Sequence, residues 1–411
     1  MRRILMLAVV LMLGLVGLAP AAAENGGVDL EGEINGAAFE IRVPEHWNGT
    51  LVMYAHGYRD KADGPGEVDD TSAQAFIADP FEDVMLAAGY AVAGSAYRDN
   101  GWAVREGIAD TRNLVRYFHH AVGVPQTTLL VGLSMGSVVT FESIEIHDGL
   151  YDGAIPACAV GAGTPRAFDG TLAVMAAYDA VYGMPAAWGT PGDVRDDLDF
   201  DAEVAPVLFG RLLAPDGPAK FEFIRLVTGV PSGPEWPFSP FYLATEGWAE
   251  LERRAGGAVA QNADHTYVVS PDDRAYLGAL GMDDATIDGY LGHMDGSRWD
   301  APSTRSYVQR YADYTGRLQR PVLTLGTAVD ALVPPSHISK YNDTVAAAGS
   351  SSYVVNAYTD GVGHCNFTPA QMLSAVDALQ GWVDTGVAPD ASAFPAAEGF
   401  IDLTPQQWPQ P

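Results

Sequence analysis

Thr127-Thr128-Leu129-Leu130-Val131-Gly132-Leu133-Ser134-Met135-Gly136 carries an apolar, strand-like run straight into a helix-like segment that extends from 135 to about 147. Between the two lies the form G-x-S-x-G. A serine on so sharp a turn needs small residues two places before and two places after it. A Cβ at either place would collide with the neighbouring strand or helix. The turn pushes the Ser134 hydroxyl clear of the sheet, where a base and a substrate can reach it. The pentapeptide also occurs by chance, so its meaning rests on its surroundings.

On either side of this turn, strand-like and helix-like patterns alternate. Residues 38–43, 50–55 and 90–94 read as strands. Val104, Ile108, Thr111, Val115, Phe118 and Val122 are spaced as one face of a helix. Residues 154–160 read as a further strand. The alternation stops near Gly163 and resumes at Pro321, with strands over 321–326 and 352–358 and a helix from about Ser336. A last helix starts at Thr368, where Thr368, Pro369 and Gln371 supply an N-cap, a first-turn proline and a capping-box partner. Met372, Val376, Leu379 and Val383 form its apolar face. This order predicts an α/β fold with a mostly parallel sheet flanked by helices.

Residues 164–319 then form an insertion between two strands. A structureless loop of that length does not suit a compact domain. The segment is rich in aromatics, among them Trp188, Phe221, Phe223, Trp236, Phe241, Tyr242 and Trp248. It is expected to be a mainly helical cap with its own core, a minority of its aromatics lining a cleft. The predicted organisation is a core over 24–163 and 320–385, a cap over 164–319 and an irregular tail over 386–411.

A serine hydroxyl is a weak nucleophile until a base takes its proton and an acid orients that base. His364 lies in a glycine-rich loop between the last predicted strand and helix, on the edge of the sheet where sites collect. Asp330 follows the strand at 321–326 on the same edge. Asp360 is the second choice for the acid, since its closeness to His364 makes the approach awkward. The oxyanion needs two backbone donors. Met135 N–H, after the nucleophile, supplies one. Tyr58 N–H, in His56-Gly57-Tyr58 after an early strand, supplies the other. His56 is read as a brace for that loop. The remaining histidines carry no metal-ligand spacing, and no metal or other cofactor is expected.

With these parts named, the chain resembles the α/β-hydrolase superfamily. His56-Gly57-Tyr58, Gly132 to Gly136, Gly326 to Pro334 and Gly363-His364 carry the resemblance, in the family order of nucleophile, acid and histidine. It covers about residues 38–163 and 321–385, and the cap has no recognised match. Many relatives carry a second glycine where this chain has Ser137. The resemblance implies the fold and a Ser-His-Asp mechanism, and leaves the substrate open. Cys158 and Cys365 either form one disulfide or remain buried thiols. A bridge beside His364 resembles in part a device of tannase and feruloyl esterase relatives, which place a cysteine directly before the serine; here that residue is Leu133.

The composition narrows partners and compartment. The chain has 411 residues and a net charge of −29. Such an acidic surface repels nucleic acid and anionic membranes, so neither is expected as a partner. Met1-Arg2-Arg3, an apolar run over 4–18 and Ala21-Ala22-Ala23 read as a cleavable export leader over 1–23, with an uncleaved anchor as the alternative. After cleavage no membrane span is expected, and a secreted or periplasmic location is expected. The combined expectation is an exported serine hydrolase acting on carboxylic esters, small or polymeric. A serine peptidase or aminopeptidase and a polyester depolymerase are the alternatives, and a non-catalytic scaffold is the rival of a different class. Substrate groups and oligomeric state stay open.

Overall fold

In the computed structural model, residues 27–61 and 69–408 are described. The expected leader over 1–23 lies outside the described residues. Among the described residues, six strands precede the inserted segment 164–319, called the cap from here on: β1 (Val28–Ile34), β2 (Ala37–Val43), β3 (Thr50–Ala55), β4 (Ala91–Ser95), β5 (Thr127–Leu133) and β6 (Gly153–Ala157). The cap holds a small hairpin, β7 (Gly189–Thr190) and β8 (Asp193–Val194). β9 (Val322–Val329), β10 (Val354–Val362) and β11 (Phe400–Ile401) follow it.

The main sheet has nine strands in the order β1-β2-β4-β3-β5-β6-β9-β10-β11. The six from β4 to β10 are parallel; β2 and β11 run against them at the two edges, and β1 pairs antiparallel with β2. Every residue of β3 and β5 is buried, because helices cover both faces of a central parallel strand. β1 was not anticipated. Asp29, Glu31 and Glu33 make one face polar, as suits an exposed edge, whereas Val28, Leu30 and Ile34 on the other face pack against the main core. Asn35 and Gly36, at φ of 54° and 87°, make the tight turn into β2.

Among the described residues there are thirteen α-helices. α1 (Asp79–Ala87), α2 (Val104–Ala121) and α3 (Met135–Ile146) precede the cap. The cap contains α4 (Thr164–Tyr182), α5 (Ala205–Leu212), α6 (Gly217–Val227), α7 (Phe238–Tyr242), α8 (Trp248–Ala255), α9 (Pro271–Ala279), α10 (Asp284–Gly296) and α11 (Ser306–Tyr311). α12 (Ser336–Ala348) and α13 (Pro369–Thr385) belong to the core, and α13 carries the capping box of Thr368 and Gln371. Side chains of α2, α3 and α12 fill one face of the sheet, and those of α1 and α13 fill the other. Among the described residues, no helix is long and apolar enough to cross a membrane.

The cap leaves the core after β6 and returns at β9. Trp188, Phe221, Phe223 and Phe241 are buried in its own core, whereas Trp248 packs into the core of the main domain. Polar clamps join cap and core. Trp102 Nε1 donates to Thr164 Oγ1 (3.1 Å), and Arg254 of α8 pairs with Asp99 (3.0 Å) and Glu106 (3.3 Å).

Three expectations need correction. The strand expected over 154–160 ends at Ala157, because the chain turns at Cys158 with φ 41°. The strand expected over 352–358 runs on to Val362, which puts Asp360 in a ladder, its N–H bonded to Gly399, rather than in the loop before His364. The tail is not wholly irregular: Phe400 is buried, β11 pairs with β10, and Gln371 Nε2 donates to Glu398 O (2.8 Å). A two-residue strand is too short to leave a periodic trace in sequence.

Candidate active site

The site sits where the order of strands reverses. The chain leaves β3 toward β4 on one side, and leaves β5 toward β6 on the other. A crevice opens between the two diverging connections. Ala55 and Gly132 are register partners across this gap, so the His56-Gly57 turn and the Ser134 turn emerge side by side.

Ser134 itself is held at φ 56°, ψ −122°, in the left-handed region that a β-carbon disfavours. The flanking glycines are forced by close approach. A Cβ on Gly132 would lie 2.1 Å from Gly136 O, and one on Gly136 would lie 2.0 Å from Ala55 O. Ser137, the departure noted in sequence, is fully buried and bonded on both sides. Its hydroxyl donates to Ser134 O (2.5 Å) and accepts from Val160 N–H (3.0 Å), tying the turn to the chain beyond β6.

His364 lies two residues past β10, and Asp330 directly follows β9. His364 Nε2 is 2.8 Å from Ser134 Oγ, and its Nδ1 is 2.7 Å from Asp330 Oδ2. The carboxylate therefore fixes the tautomer: Nδ1 carries the proton and Nε2 is free to take one. Asp330 Oδ1 also accepts from Leu332 N–H (3.0 Å) and Val333 N–H (2.7 Å), so this buried carboxylate is well satisfied. Burial by itself would depress His364. The charge and hydrogen bond of Asp330, with the charge of Glu235, outweigh it and raise His364 above its usual 6.5.

Glu235 was not singled out from sequence. It sits in the cap's Pro231-to-Pro237 loop, where a glutamate in a Pro- and Gly-rich stretch looks solvated. Its carboxylate accepts from His364 N–H (2.6 Å) and Ala331 N–H (3.3 Å), so one cap residue holds both the histidine loop and the aspartate loop. Cys158 and Cys365 are joined as a disulfide, anchoring the residue after His364 to the end of β6.

Met135 is the first residue of α3, so its N–H lacks an intrahelical acceptor. Gly57 lies against the nucleophile, with a Cβ there 3.3 Å from Ser134 Cβ, and Tyr58 lines the cavity beside it. His56 is a brace: its Nδ1–H donates to Gly57 O (2.7 Å) and its ring stacks on Tyr97 (3.9 Å). Burial, then the nearby Arg59, pushes His56 down to about 4, so it stays neutral. A cavity of about 400 Å³ opens in front of Ser134, with Trp102, Val160, Val174, Leu243 and Leu332 on its apolar walls.

No family model matches the chain. A central parallel sheet in this order, with a serine turn after β5, decides the architecture. The fold is that of the α/β-hydrolases. The curated o-phthalyl amidase of Xanthobacter agilis is 23% identical over 86% of this chain and 87% of its own length. Solved structures resembling the chain include an Aspergillus oryzae esterase (12% identical, 88% of this chain and 80% of that one, TM-score 0.40). The cell-wall-degrading esterase LipA of Xanthomonas oryzae is 14% identical over 85% of each chain, with a TM-score of 0.38.

Proposed function

We propose that this protein is an exported serine hydrolase that cleaves carboxylic esters through an acyl-enzyme. The reading rests on one observation above all: an unbroken hydrogen-bonded line from Ser134 Oγ through His364 to Asp330, at an apolar cavity. His364 Nε2 takes the Ser134 proton as Oγ attacks the acyl carbon. Asp330 stabilises the resulting imidazolium, and the N–H groups of Tyr58 and Met135 hold the oxyanion. The imidazolium then protonates the departing alcohol. Water, deprotonated by the same histidine, releases the acid and restores Ser134. The mechanism needs no metal or other cofactor. The leader-like start at 1–23 and a disulfide, which belongs to oxidising compartments, support export.

Amide hydrolysis is the second reading, favoured by the likeness to a protein named for amidase activity. The aminopeptidase form of that reading gains nothing from the acidic run in the cap. Asp196, Asp197 and Asp201 are exposed, and Asp199 caps a local turn through Ala202 N–H (2.8 Å). Ser134→Ala is expected to abolish both ester hydrolysis and labelling by a fluorophosphonate, with circular dichroism unchanged. Labelling that survives the substitution overturns the assignment. Paired 4-nitrophenyl esters and anilides of the same acids rank the two readings.

A further inference from the structure

One corner of the cavity in front of Ser134 is lined by Ser336 and His337 at the start of α12 and by Trp408 from the tail. Ser336 is 4% and His337 5% exposed. Neither the Ser336 hydroxyl nor His337 Nδ1 has a hydrogen-bond partner among the described residues. Folded proteins leave few buried polar atoms unmet. Ser336 and His337 are adjacent, both line the cavity, and each holds one unmet polar atom that a ligand atom would satisfy.

The chemistry of the corner favours an oxygen. Burial, then the nearby His364, pushes His337 down to about 3, so its ring is neutral and offers one N–H and one lone pair. The Ser336 hydroxyl offers a second donor. α12 is 13 residues long, and Pro335 gives it no side-chain cap, so the positive end of the helix adds to both. Trp408 lies edge-on to His337, with ring centroids 4.4 Å apart. Together with Trp102 and Tyr58 it lines the cavity with flat rings, which match a flat ligand. The acyl half of a substrate stays bound to Ser134 through both chemical steps, so it is the half this cavity must hold longest.

We propose that Ser336 and His337 form a specificity-determining subsite for an oxygen substituent, carboxylate or hydroxyl, on an aromatic acyl group, with Trp408 as a wall for its ring. The inference rests on the serine-hydrolase reading above.

The test compares kcat/KM for the ethyl esters of benzoic, 2-hydroxybenzoic and 2-carboxybenzoic acid. The full chain is expected to favour at least one oxygen-bearing ester over the benzoate by about tenfold or more. Ser336→Ala and His337→Leu are each expected to shrink that ratio by roughly three- to tenfold, the worth of one hydrogen bond. Trp408→Ala is expected to lower kcat/KM for all three ring esters relative to ethyl acetate. The ratio is read within each variant, so a general loss of active protein cancels. If His337→Leu does not fold, Ser336→Ala reads the subsite alone. The preferred ester identifies the oxygen as hydroxyl or carboxylate. A ratio near one in the full chain, or ratios that neither variant moves, overturns the subsite while leaving the hydrolase reading intact. Failure of the full chain to hydrolyse any ester overturns the parent reading instead.

Discussion

Asp330 acts on the site through two of its properties, its charge and the geometry of its bonds. An asparagine there would keep roughly the same shape. It would lose the charge that raises His364, and its amide would disturb the tautomer that frees Nε2. Asp330→Asn is therefore expected to lower kcat by roughly 10³–10⁴-fold. Because the proposed base works only when neutral, kcat/KM is expected to rise with pH as His364 loses its proton. Asp330 raises that group, so the rising limb of the profile is expected above 6.5 in the native protein and lower in Asp330→Asn. A pH–rate profile of each protein checks this, and a limb that does not move excludes His364 as the base paired with Asp330. Ser134, Asp330 and His364 were all legible in sequence, because each falls just past a strand end in a stretch with its own local signature. Glu235 was not, because its partners lie about a hundred residues away or more and its own neighbourhood resembles an ordinary loop.

At the scale of elements, the loops after β9 and β10 matter most. Both are short, and both are fastened from outside. Glu235 joins them from the cap, and the disulfide fastens the second one to the end of β6. Glu235→Ala is expected to reduce kcat about tenfold and to lower the rising pH limb, because both a hydrogen bond and a negative charge near His364 are lost. Glu235→Gln keeps an acceptor for His364 N–H, so it is expected to restore most of kcat while the limb stays low. A purely structural role would not separate these two readouts. The bridge spans 207 residues of chain, so opening it releases much conformational freedom in the unfolded state. The Cys158→Ala, Cys365→Ala double variant is expected to be about 2–5 kcal/mol less stable in denaturant unfolding. Equal midpoints for the two proteins would count against that role. Sequence left the pairing open, since spacing along the chain says nothing of two residues that meet only across the sheet.

The whole molecule carries a net charge of −29 with only 23 lysines and arginines. Several of those cations are spent on clamps such as Arg254 with Glu250, Asp99 and Glu106, and Arg305 with Asp169. The remaining surface repels itself, and repulsion between exposed charges is screened by salt. The melting temperature is expected to rise as sodium chloride increases from about 10 mM to 0.5 M, where the Debye length falls to a few ångströms. A flat or falling curve would mean that self-repulsion does not limit stability. By itself the sequence determined the strand–helix alternation, the serine turn and the order of the three polar residues. Those features are written in local spacing, in the size of glycine and in hydrophobic period. Only the tertiary structure decided that β1 and β11 extend the sheet, that a cap glutamate grips the histidine loop, and that Trp408 and the start of α12 meet in one cavity. Each of those depends on contacts between segments far apart in the chain, which a pattern read along the chain does not contain.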